Sequence, residues 1–104
     1  MTAGPLVLGC VAGGAYTRTT DKAYPARPPG CTFKVFTSAP QEPYEEIGVV
    51  DHIHRGDNVG ASDIREFMGV MRPYVCRSGG DAVLAFVNGM GWYVKGTVIK
   101  LGSK

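Results

Sequence analysis

Asp51, His52, His54 and Asp57 form the densest set of potential metal ligands in the chain. Alternate residues of a strand project from one face, so His52 and His54 would offer two imidazoles to a shared cation. Two ligands do not complete a coordination shell, and exposed histidines at a strand end are the plainer reading. Among the carboxylates, Glu45, Glu46 and Glu66 come nearest to a general acid–base set, but neighbours such as Glu45 and Glu46 point to opposite faces of a strand and cannot cooperate. Ser38, Ser62, Ser78 and Ser103 all lack a Gly-x-Ser-x-Gly frame. A Cys76 thiol with His52 or His54 as base would need a proximity that nothing in the spacing supplies. The glycines at 13–14 and at 89 and 91 precede no helix with a phosphate-capturing lysine. No catalytic residue and no cofactor are therefore assigned, and the chain is read as acting by binding.

Three cysteines, Cys10, Cys31 and Cys76, stand in different settings. Cys10 ends the run Pro5-Leu6-Val7-Leu8-Gly9-Cys10, which resembles a bacterial lipobox, the cleavage signal after which the cysteine becomes a lipid-bearing first residue. The segment ahead of it lacks a basic start and is shorter than a usual signal stretch, so residues 1–10 read either as a truncated lipoprotein signal or as an apolar leader. No run reaches the roughly 18 apolar residues a membrane-spanning helix requires. Residues 11–30, rich in Gly, Thr and Pro, carry no hydrophobic period and are expected to be a linker, equally compatible with a disordered terminus.

The elements that would position these groups begin at Cys31. Residues 31–37 alternate β-branched and aromatic residues with polar ones, the period of a half-buried strand, and stop at a proline-bounded loop ending at Pro43. A second strand is expected over 44–54, with Ile47, Val49 and Ile53 on one face. The single helix is marked by Ile64, Phe67, Met68, Met71, Tyr74 and Val75 at spacings of three and four. Asp63 followed by Glu66 resembles a capping box and puts its start at Ser62 or Asp63; Pro73 should kink or loosen its end, and Ser78-Gly79-Gly80 should stop it. Strands over 81–87 and 92–101, joined through Asn88-Gly89, complete an α+β unit of order β-β-α-β-β. One helix covers a four-stranded sheet on one face only.

In that arrangement Cys31 opens the first strand and Cys76 lies in the last helical turn, places that meet if the helix runs back across the sheet. A disulfide closing about 45 residues would stabilise the domain by about 4 kcal/mol, comparable with the whole stability of so small a unit. The alternative is a pair of reduced, half-buried thiols, favoured in a reducing compartment. The bridge and the lipobox both imply export. Phe36, Phe86, Met90, Trp92 and Tyr93 are many large apolar groups for one covered face, and either complete the core or surface around the hairpin as a docking site.

Charge narrows the partners. Residues 11–30 carry Arg18, Lys22 and Arg27 against Asp21, whereas residues 31–104 hold eight basic and eight acidic side chains. A neutral domain with a weakly basic leader does not suit a phosphate backbone, so no nucleic-acid partner is expected.

Cys31-Thr-Phe-Lys-Val-Phe-Thr-Ser-Ala-Pro, Tyr44-Glu-Glu-Ile-Gly-Val-Val, Gly79-Gly80-Asp81-Ala82-Val83 and Lys95-Gly96-Thr97-Val98-Ile99 together resemble the sheet-and-helix domain of RcsF-like envelope lipoproteins and YbjQ-like small proteins. The likeness spans residues 31–104. Gly80 stands where the pattern usually has Ala, and the second bridge of RcsF-like proteins has no counterpart. The resemblance implies a lipid-anchored domain on the periplasmic face of the outer membrane that contacts another envelope protein or itself. On its YbjQ-like side the alternative is a soluble homo-oligomer in which His52 and His54 could hold a metal, although the heavy-metal label of some YbjQ-like proteins transfers no matched ligand motif to this sequence.

Overall fold

A computed structural model describes residues 12–102, and Cys10 lies outside them. Six strands and one helix follow in the order β1 Ala12–Arg18, β2 Lys34–Phe36, β3 Tyr44–Arg55, β4 Asn58–Val59, α1 Ile64–Ser78, β5 Ala82–Val87 and β6 Tyr93–Leu101. They form one mixed sheet of order β1-β3-β6-β5-β2, with the short β4 paired to β3. Every pairing is antiparallel except β2 with β5, which run parallel. The α+β class and the single helix are as the sequence implies, but the sheet has six strands where four were expected.

The first added strand, β1, replaces part of the expected linker. Its residues Ala-Gly-Gly-Ala-Tyr-Thr-Arg show no apolar alternation because β1 is a sheet edge and mostly exposed. Main-chain pairing with β3, from Ala12 opposite Arg55 to Arg18 opposite Gly48, holds it instead. Residues 19–30 then cross the end of the helix as a strap. Its ties are the Thr19 amide donating to the Ile47 carbonyl at 3.1 Å and the Arg27 amide donating to the Cys76 carbonyl at 2.7 Å. The Arg27 guanidinium also donates to the carbonyls of Gly80 and Thr32, both at 2.7 Å.

Two irregularities shift the phase of β3. Register slips between Glu46 and Gly48 against β6, and two residues, His52 and Ile53, stand opposite Gly14 alone on β1. Consequently Ile47, Val50 and Ile53 enter the core, while Val49, expected with them, is only half-buried.

The helix starts where the capping pattern puts it. The Asp63 carboxylate accepts from the Glu66 amide at 2.8 Å, and Glu66 in turn accepts from the Ser62 amide at 2.7 Å. Pro73 does not end the helix, which continues to Ser78. Pro73 and Gly69, whose carbonyl it cannot engage, are both exposed, so water can satisfy that carbonyl. Phe67, Met71 and Val75 bury fully against Val50, Val83 and Val98 of the sheet. Helix exit and sheet approach closely at Gly80, where an added Cβ would overlap the Val98 side chain. That crowding is a physical reason for glycine at this position.

Cys31 and Cys76 form a disulfide, with Cα atoms 5.8 Å apart. Cys31 precedes β2 rather than opening it, so the bond ties the approach to an edge strand onto the last helical turn. The loop it closes, with a sequence separation of 45, contains β2, β3, β4 and most of α1. Reduction should lower unfolding stability by about 4 kcal/mol. Urea unfolding with and without dithiothreitol measures this, and an unchanged midpoint would refute it.

Candidate functional site

The strap and β1 enclose a pocket of about 360 Å³ against the end of α1. Tyr16 and Arg18 enter it from β1, Thr20, Lys22 and Tyr24 from the strap, and Tyr74, Arg77 and Ser78 from the helix, with Ile47 as its apolar floor. The size lies at the lower end of small-molecule sites. Tyr16 and Tyr74 stack with ring centroids 5.7 Å apart, and the Tyr74 hydroxyl donates to the Gly14 carbonyl at 3.0 Å, fixing the ring. A Cβ at Gly48 would overlap the Tyr16 ring, so this glycine lets tyrosine lie flat across the strands.

Arg18 shapes the strap by donating to the carbonyls of Thr20 at 2.9 Å and Lys22 at 2.8 Å. Glu45 is held to one side. It accepts from the Tyr24 hydroxyl, from the Thr20 hydroxyl at 2.8 Å and from the Lys22 ammonium at 3.4 Å. The Tyr24 and Thr20 bonds, with a smaller contribution from Lys22, hold its carboxyl below the ordinary range near 4.5. Arg77 makes no ion pair or hydrogen bond among the described residues, so the pocket keeps an uncompensated guanidinium.

Sequence reasoning missed this site because Tyr16, Arg18, Lys22 and Tyr24 fall in the expected linker and Tyr74 reads as core. The concentration of excess positive charge in residues 11–30 was the available signal.

The sequence-derived candidates are scattered. His52 adopts a left-handed backbone, φ 53°, in the β3 bulge, so simple strand alternation does not describe it. The neighbouring His54 is half-buried, with Nδ1 buried and unpartnered. Among the described residues no group of three or more His, Cys, Asp or Glu is placed to hold a metal ion. Tyr93 turns into the core and stacks on Phe67 at 5.1 Å, Phe36 and Trp92 are half-buried, and Phe86 and Met90 are 57% and 81% exposed. Asn88 shapes the hairpin, its side-chain oxygen accepting from the amides of Met90 and Trp92 at 2.9 and 3.0 Å.

Phe86, whose ring centroid lies 5.8 Å from the Lys95 ammonium, and Met90 are exposed at the hairpin end of the molecule. Ala61 bridges Tyr93 beside the hairpin, which brings exposed Val59 and Ile64 to that end as well. The pairing of Ala12 with Arg55 starts β1 there too, whereas Arg18, Tyr24 and Arg77 line the pocket toward the opposite end.

No family model matches the chain, and neither the curated proteins nor the solved structures contain a match.

The Glu45 network has a definite pH signature. A carboxyl held lower in the folded state adds stability above its unfolded pKa, and that stability is lost as pH falls through the folded value. Glu45→Gln should therefore lower Tm at pH 7 and flatten the fall in Tm between about pH 5 and pH 3. Thermal melts across that range decide it; identical Tm profiles would contradict the network.

Proposed function

We propose that this protein is a non-enzymatic binding domain of the bacterial cell envelope, exported and held at a membrane surface by lipid on Cys10. The observation carrying the proposal is the disulfide, a bond that persists in oxidising compartments and is rare in the cytosol. The lipobox-like Pro5–Cys10 run and the RcsF-like sequence pattern support the same compartment.

Only Val11 separates the proposed anchor from β1 in sequence, in place of the long spacer expected for residues 11–30. β1 starts at the end where Val59, Ile64, Phe86 and Met90 are exposed. That end faces the lipid. Its apolar side chains enter the interfacial zone and supplement the acyl anchor, since stable anchoring of lipidated proteins commonly uses a second signal. The tyrosine-lined pocket then faces away from the bilayer.

Mass spectrometry of the protein isolated from its own cells should find a thioether lipid on Cys10 and a Cys31–Cys76 bridge. Free thiols with an unprocessed Met1 would defeat the proposal. Orientation has its own test, the flotation of the unlipidated full-length Cys10→Ser protein with phosphatidylethanolamine–phosphatidylglycerol vesicles. Replacing both Phe86 and Met90 by Ser should weaken that partition by about tenfold or more, from the apolar transfer energy removed. Unchanged partition would rule out the lipid-facing end. Self-association or capture of an envelope protein, lost in the same variant, would reassign that end to a protein contact.

A further inference from the structure

We infer that the pocket between β1, the strap and the end of α1 binds a small organic anion, an acidic group carried on a six-membered ring. The inference is independent of export and of the lipid anchor, because it rests on the pocket alone.

Charge selects an anion. Arg18, Lys22 and Arg77 line the pocket, and the nearby carboxylate, Glu45, is engaged by Tyr24, Thr20 and Lys22. A cationic ligand would meet the like charges of Arg18 and Arg77, Lys22 being paired with Glu45. The helix also ends here, and its partial negative charge would oppose an anion if the last carbonyls were bare. They are covered. The Cys76 carbonyl accepts from the Arg27 amide at 2.7 Å and the Gly79 amide at 3.4 Å, and the Val75 carbonyl accepts from the Gly80 amide at 3.0 Å. Arg77 follows immediately, carries a planar fork of donors suited to a carboxylate or phosphate, and has no other partner to surrender.

Size and surface select a ring. A volume of about 360 Å³ admits one ring with its acidic substituent but not a folded peptide or a dinucleotide. Tyr16, Tyr24 and Tyr74 line it with aromatic faces, although Tyr16 and Tyr74 already stack on each other and the Lys100 ammonium lies 5.3 Å from the Tyr24 ring centroid, and Ile47 adds an apolar side chain. Such faces stack on an aromatic ring or pack against the C–H face of a sugar, so the shared chemistry is an acid on a ring.

Titration of the oxidised, full-length protein with benzoate and with glucuronate, followed by amide NMR shifts, tests this. At least one of the two should give saturable shifts centred on residues 16–24 and 74–78, and the better ring shows whether the source is aromatic or saccharide. The neutral counterparts, benzamide and glucose, should bind at least tenfold more weakly. Arg77→Gln, an exposed position whose loss leaves the fold intact, should weaken the acid at least fivefold, whereas Arg65→Gln in the first helical turn should not. Gly48→Ala, which must displace the Tyr16 ring, should weaken ring binding while amide dispersion reports that the fold persists. The inference is overturned if neither acid saturates, if shifts spread over all surface arginines, or if Arg77→Gln binds as tightly as the unaltered protein.

Discussion

A covalent tie between Cys31 and Cys76 reinforces the packing that holds the last helical turn and the approach to β2. The helix is anchored along its length by Phe67, Met71 and Val75, and its final turn, which also buries Cys76, runs out where Gly80 lies close against the sheet. β2 is a three-residue edge strand with few ladder bonds of its own. Joining the two fixes the last helical turn, and the Cys76 carbonyl in that turn receives the Arg27 amide of the strap. The position of the strap, and so the wall of the pocket, depends on this connection.

The polar chemistry follows the same logic. Arg18 and Arg27 spend their donors on backbone carbonyls, so they order a segment that has little apolar surface to bury. Glu45 gathers two hydroxyls and an ammonium. The exposed Lys22–Glu45 pair itself adds little stability at the surface. Its effect is on the electrostatic balance of the pocket, which stays cationic on its helix side.

Much of the fold was legible in sequence because its signals are local. Helix periodicity from Ile64, the Asp63 cap and the Asn88 hairpin each depend on residues close in the chain, and the cysteine pairing followed once the helix was laid back over the sheet. What could not be read depends on distant partners. β1 is a strand only because β3 offers it an edge, and the bulge at His52 arises from pairing with Gly14 rather than from any pattern in β3. The candidate site suffered most, since more than half of its lining lies in a segment whose composition suggests a linker. The apolar hairpin residues were legible as a group, but Tyr93 joined the core because Phe67 lies within stacking distance.

Hydrogen exchange with the disulfide intact and then reduced measures the dependence of the strap on the bond directly. The account predicts that the Thr19 and Arg27 amides are protected in the oxidised protein and lose protection on reduction, before amides of the central β3, β6 and β5 strands do. Strap amides that stay equally protected after reduction would contradict it.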